Sequence, residues 1–413
     1  MVSYKVKRKN RIIVILLAIL FGGASLTNFG TLETPLDPAI IILRFTMIGI
    51  VLIFFAIISG SELLNMPTKP FPLTFLWATY SLVFILSGFA NNDLTSLRDG
   101  FWFMIAVPMI FFNALPKLMK KSANILITLG LLLGVSPYIV LSWALQPVWQ
   151  SDSKIYSGIF PNSNQLGFTA AAMSSSLFVL AIGCLFSKKN SFESLLVNMS
   201  LVACLVTIML ANARTSLITF FVMSLLLFWH LFQNARNIVI AVIGVFLTGV
   251  AILGVGSQNP WLFERIGEIQ GKDALSGRDD IWAKTFIDMK LLGNGEKYFE
   301  TNFDLGAHNT IVHIVGVNGI IAGLLMVSFA LVSFYYAVVY FRKHYQEDPY
   351  AIAPLVFMSC FWTLSMGEGM FGSLGNAMTL AYMLSIGVIM ADLNTIDSKV
   401  TTIVIFDQNI VNK

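Results

Sequence analysis

The chain has 413 residues, of which 56% are hydrophobic and 12% charged, with a formal net charge of +4. A soluble domain carries roughly 25% charged residues, so this balance excludes an ordinary soluble fold and points to an all-α polytopic membrane protein. The basic residues are scattered between apolar runs, which speaks against nucleic acid as a partner. Cys184, Cys204 and Cys360 each lie inside such a run, as small hydrophobes and not as a disulfide framework or metal cluster.

The N-terminal stretch MVSYKVKRKNRIIVILLAILFGG looks superficially like a signal peptide. No clear small-residue cleavage site follows, so it reads as a retained first span. A membrane-crossing helix needs about 20 apolar residues. Runs of that kind begin near Ile12, Ile41, Phe71, Phe101, Ile125, Gln165, Leu195, Ser216, Ile238, Thr310, Ala351 and Ala377, which predicts about twelve transmembrane helices in a single integral membrane domain, 1–413. With the N-terminus in the cytoplasm, alternation puts Lys69, Lys117, Lys120, Lys121, Lys188, Lys189, Arg236, Arg342 and Lys343 inside. Short outer loops receive only Arg98, Lys154 and Arg214. The positive-inside rule is met throughout, and both termini come out cytoplasmic.

Candidate residues follow in chain order. Glu33 and Asp37 in TLETPLDP are conceivable metal ligands, but carboxylates in a Pro-rich turn are more simply solvated. Arg44 enters the second span near its outer end, where it either meets an anion or snorkels. Arg98 is a further outer arginine. SGIFPNSNQLGFTAAAMSSS breaks and restarts the chain at Pro161, Asn162 and Asn164, then presents small residues (Ala170, Ala171, Ala172, Ser174) suited to close helix packing. MLANARTSLITFF leaves almost no loop between two spans, so Arg214 sits at a tight outer turn, with Asn212, Thr215 and Ser216 able to cap the next helix.

The long outer loop, 257–307, carries Arg265 and Arg278. Ile281, Trp282, Phe286 and Ile287 fall at helix-like spacing there, which predicts short ordered helices. Arginines on a side where positive charge is disfavoured suit a partly desolvated phosphate. The loop delivers the chain to AHNTIVHIVGVNG. A helix is expected from about Asn309, with free N–H groups at its start forming an anion site. His308 stands at that mouth, where it can exchange protons near neutral pH. His313 is about 140° around the helix from it, which argues against a two-histidine metal site, and is expected to pack. Glu368, in the outer turn SMGEGMFGSLG, is a candidate sugar contact or base.

No phosphate loop, dinucleotide fingerprint or H-E-x-x-H motif is present. No cofactor is implied, and with arginines to carry charge the chemistry is expected to need no divalent metal. A transporter shares the spans and a polar cavity, but is expected to show broken helices or inverted repeats at the midplane.

Taken in order, GIFPNSNQLG, NARTSL, GRDDIWAKTFIDMKLLGNG and AHNTIVHIVGVNGIIAGLL resemble the O-antigen ligase and polysaccharide polymerase superfamily of multi-span glycosyltransferases. The motifs cover roughly residues 157–330. The resemblance implies a C-type glycosyltransferase-like fold in the bacterial cytoplasmic membrane, with the large extracytoplasmic loop over a membrane-embedded cavity. It implies an undecaprenyl-pyrophosphate-linked glycan as donor, membrane lipid around it, and a flippase and a chain-length regulator as partners. His308, Arg214 and Arg278 match the family's catalytic histidine and arginines, with Arg44, Arg98, Asn162, Asn164, Arg265, Asn309 and Glu368 as further substrate contacts. Ala322 stands where the family has a glycine. Between polymerase and ligase the motifs do not decide. Short inner loops and no extra domain for a bulky second acceptor favour a polymerase of capsule or exopolysaccharide.

Overall fold

The computed structural model describes residues 8–29, 37–60, 71–148, 155–187, 191–231, 278–303, 306–371 and 375–393. Among the described residues all regular structure is helical. In chain order the helices are α1 (Arg8–Ser25), α2 (Pro38–Ser59), α3 (Phe71–Ala90) and α4 (Leu94–Phe101). A π-helix over Trp102–Ala114 leads into α5 (Leu115–Met119). Then come α6 (Ala123–Leu145), α7 (Ser163–Ser187), α8 (Ser191–Leu210), α9 (Arg214–Leu231), α10 (Arg278–Ile287), α11 (Tyr298–Phe303), α12 (Thr310–Asn318), α13 (Ile320–His344), α14 (Ala353–Ser365) and α15 (Ala377–Leu393). A helix covers or begins within a few residues of every predicted start except Ile238, which lies outside the described residues, as do Glu33, Arg265 and most of 257–277. Among the described residues seven helical stretches are long and apolar enough to cross a membrane, so the molecule is a membrane-embedded helical protein.

Burial separates these helices into two kinds. In α2 only 17% of the apolar window is buried, and Ile42, Ile53 and Ile57 are exposed on it. In α15 every residue from Ala377 to Met390 is buried, so its all-round apolar surface faces protein. The small face of α7 packs against α14 and α15: Cys360 meets the Ala171 carbonyl at 3.8 Å, and Ser175 meets the Met378 sulfur at 3.7 Å. Gly22 and Gly134 let the backbones of α1 and α6 approach closely, as small residues do in lipid. Cys204 and Cys360 are buried free thiols.

The run opened by AHNTIVH is not one helix. It breaks between α12 and α13 at Gly319, whose φ is +97°. An added Cβ there would collide with the Leu291 carbonyl and the Gly293 nitrogen. The break is the mark expected of a transporter, yet its place differs from the one expected. α13 alone has 25 residues, about 37 Å at 1.5 Å per residue, which exceeds a hydrocarbon core of about 30 Å. The break therefore falls at one end of the crossing and not at its middle.

The helices alternate in direction, giving the bundle two ends. One gathers the α1–α2, α3–α4, α8–α9 and α14–α15 connections together with α10–α12, and is called here the His308 end. The other holds Lys343, His344, Asp348 and Asp392.

Candidate functional site

At the His308 end the chain leaves α14 and turns through Met366–Gly369. Three residues from two other segments fasten this turn through its main chain. Asn309 donates from Nδ2 to the Met366 carbonyl (3.3 Å), and Arg278 from Nη1 to the Gly367 carbonyl (3.2 Å). Thr310 donates from Oγ1 to the Glu368 carbonyl (3.1 Å) and accepts from the Met370 nitrogen (2.9 Å). A Cβ at Gly367 would collide with the Thr215 side chain, so only glycine lets the turn lie against the start of α9, next to Arg214. Arg278, Arg214 and His308, spread over about a hundred residues of sequence, thus converge on one turn.

His308 adopts φ +46°, a left-handed conformation unusual for a histidine. It directs Nδ1 to Glu368 Oε2 at 3.2 Å, with both side chains about one-third exposed (30% and 32%). A carboxylate accepts only, so this pairing selects the tautomer with the proton on Nδ1 and leaves Nε2 as an acceptor. Glu368 is therefore the histidine's orienting partner.

The helix starts at Thr310, with Asn309 as its cap, within a residue of the expected start. One expectation for this stretch is corrected. Two of the N–H groups expected to bind an anion are already used, since Ile311 (2.9 Å) and Val312 (3.1 Å) donate to Asn309 Oδ1. The positive groups of the site are therefore arginine side chains and not a bare helix end. Asn309 also holds the turn through Met366. His313 stacks on Phe299, with ring centroids 5.5 Å apart, and belongs to the packing of the loop.

The remaining candidates lie around this turn or apart from it. Arg214 is exposed as the first residue of α9, after Asn212 takes the left-handed position of the turn (φ +52°). Gly167 packs directly on Ala213, so the two motifs GIFPNSNQLG and NARTSL meet. Within the first, Asn162 accepts from the Asn164 nitrogen (2.8 Å), a local turn at the start of α7. Arg44 donates from Nη2 to the Gly375 carbonyl (3.0 Å), in the same α14–α15 connection as Glu368. Arg98 is 63% exposed and paired with Asp99 at 2.9 Å, so its charge is already met. Asp37 caps α2 through the Ala39 nitrogen (2.7 Å). No cluster of three or more His, Cys, Asp or Glu that could hold a metal occurs among the described residues.

A second set of contacts holds the loop in place, and nothing in the sequence reading anticipated it. The break at Gly319 frees the carbonyls of Gly316 and Val317, which accept from the nitrogens of Asn294 and Gly295, both at 3.0 Å. Ile320 donates in turn to the Lys290 carbonyl (3.0 Å). Asp93, between α3 and α4, accepts from the nitrogens of Thr95 and Glu296 (each 2.9 Å) and from the Ser96 hydroxyl (2.8 Å). Partial burial works to raise the Asp93 carboxyl, but hydrogen bonds from Ser96, Glu296 and Thr95 outweigh it and hold the group below its usual value. The readable signals were Gly293 and Gly295, both at positive φ, and the Asn318-Gly319 pair.

Comparison of the whole chain with family models and with curated proteins finds no match.

Proposed function

We propose that the protein is a polysaccharide polymerase of the outer face of the bacterial cytoplasmic membrane. It would transfer undecaprenyl-pyrophosphate-linked repeat units onto a lipid-linked acceptor glycan, within a twelve-span arrangement whose termini are cytoplasmic. The observation that carries this reading is the convergence of Arg278, His308 with Glu368, and the Arg214 turn on Met366–Gly369. Such a set suits a group transfer in which an anionic leaving group departs and a hydroxyl attacks.

In this reading Arg214 and Arg278 hold the donor pyrophosphate. Arg278 uses one of its five N–H donors on Gly367, which aims the guanidinium, and its charge meets no carboxylate among the described residues. Negative charge grows on the pyrophosphate as its bond to the anomeric carbon breaks, and the arginines stabilise that change. The acceptor hydroxyl forms the new bond to the anomeric carbon and gives its proton to His308 Nε2. Glu368 steadies the imidazolium that results. Undecaprenyl pyrophosphate leaves, and no nucleotide or metal is called for.

The lipid-linked pool of a deletion strain tests this reading. Loss of a polymerase leaves single repeat units on the carrier and no long glycan. Long ladders stranded on the carrier mean instead a ligase that moves finished glycan to another acceptor. A depleted outer-face pool with carrier-bound units trapped inside means a transporter.

A further inference from the structure

A second polar site touches the C-terminal end of α12, whereas His308 precedes its N-terminal end. Between α10 and α11 the chain forms an open groove of about 530 Å³ lined by Asp288, Lys290, Asn294, Lys297, Tyr298 and Asn302. Every residue of this lining carries a polar side chain, although its exposed surface is about equally polar and apolar, a mix that suits a sugar. Its groups are fixed in advance. The Tyr298 hydroxyl donates to Asp288 Oδ2 (3.0 Å), Asn302 donates to the Tyr298 carbonyl (2.8 Å), and Asn294 donates to the carbonyls of Asp288 (3.3 Å) and Gly316 (3.2 Å). Left over are the Oδ1 atoms of Asp288, Asn294 and Asn302 as acceptors. The ammonium groups of Lys290 and Lys297 meet no carboxylate among the described residues.

The same segment is apolar on its opposite side. Ile287, Met289 and Leu291 alternate with Asp288 and Lys290 and are exposed (81%, 43% and 68%). Leu291 lies against Gly319, directly before α13, whose Ile321 and Leu324 are also exposed. Exposed apolar side chains thus precede and follow the Leu291–Gly319 main-chain contact, at the start of a helix long enough to cross a membrane.

We propose that this groove binds the polar head of an anionic, glycan-bearing lipid, with its chain along Ile287, Leu291, Ile321 and Leu324. Resting on the polymerase reading, we assign the lipid as the acceptor, since such an enzyme must hold two lipid-linked chains and the arginine site takes the donor. Hydroxyl-rich sugar matches the mixed acceptors and amides, and the two lysines match the lipid's phosphates.

The test uses full-length protein in nanodiscs, with a benzophenone amino acid placed at Thr301 on the groove rim. The probe is a radiolabelled polyprenyl pyrophosphate carrying one N-acetylhexosamine. Labelling at residue 301 is expected, unchanged by His308→Ala and reduced roughly tenfold or more by Lys290→Ala with Lys297→Ala. Excess phosphatidylglycerol should not compete. If it competes equally, the groove reads only bulk anionic lipid and the proposal falls. Labelling that ignores the lysine substitutions, or that is absent while glycan transfer proceeds, also overturns it and leaves the polymerase reading intact. Labelling that persists in wild-type protein with no transferase activity supports the groove and sinks the polymerase reading instead. Unaltered melting of the double lysine variant guards against misfolding.

Discussion

The two ends of the bundle handle charge differently. At the Lys343 end, acids and bases meet directly. Lys343 and His344 both contact Asp392 (2.8 and 2.9 Å), and Asp348 accepts from Asn124 (2.8 Å). At the His308 end Arg98 pairs with Asp99 and His308 with Glu368, but Arg278 and Arg44 are tied to main-chain carbonyls. A carbonyl can aim a guanidinium but cannot neutralise it. Near the turn, His308 and Asn212 are held at positive φ. One end is a closed electrostatic clasp. The other keeps positive charge in reserve beside a histidine with an oriented partner, as expected where an anion arrives from outside the chain.

Substitution at the two ends should separate these roles. The largest effect is expected from His308→Ala, which should lower transfer by roughly 10²–10⁴ at normal membrane level, as loss of a general base does. Arg278→Ala and Arg214→Ala should each lower it by about 10²–10³. Asp392→Ala should do the reverse, lowering the melting temperature while leaving transfer per folded molecule near wild type. Equal loss of transfer at both ends would erase the distinction. These are read from in vitro transfer normalised to folded protein.

The loop clip gives a smaller, structural contrast. Gly319→Ala forces a side chain to φ +97° and into Leu291, at a cost of about 1–3 kcal/mol. Proteolysis of the 278–303 segment should speed up while the spans stay protected. Removing the cap with Asn309→Ala should cost about 1 kcal/mol and also slacken the turn through Met366.

Asp93 supplies the smallest effect and a pH signature. In the folded protein its carboxyl is held below its usual value by the hydrogen bonds from Ser96, Glu296 and Thr95, against the opposing effect of burial. A depressed value adds stability that is fully present above the unfolded value and is lost as pH falls through the folded one. Loop protection measured by hydrogen exchange should therefore weaken below about pH 4. Asp93→Asn should remove that acid step. Glu296, raised by desolvation and by the charges of Asp93 and Asp99, works in the opposite direction, so the variant must be compared with wild type at each pH.

Much of this was legible in the chain itself. Helix positions follow from apolar runs of fixed length, and the small face of α7 follows from Ala170–Ala172 and Ser174. Short helices in the loop were expected from Ile281 and Trp282, which do turn inward, whereas Phe286 and Ile287 at the same spacing stay exposed. Hydropathy could not distinguish α2 from α15, because lipid and protein interior are equally apolar solvents for a side chain. The pairing of His308 with Glu368 spans 60 residues, and no local pattern encodes a contact between separate turns. The supposed anion site at the start of α12 failed because Asn309 consumes the donors itself. The break at Gly319 hid inside an apolar run, marked only by Asn318-Gly319.

The most direct test of the central claim reconstitutes the purified chain in liposomes with a lipid-pyrophosphate-linked repeat unit and follows chain growth. Wild-type protein is predicted to lengthen the glycan with chelator present. His308→Ala should stop growth while binding the donor normally, and Glu368→Gln should slow it by roughly tenfold, the size of one lost orienting contact. Equal chain growth in wild type and His308→Ala, at equal folded protein, would contradict the account.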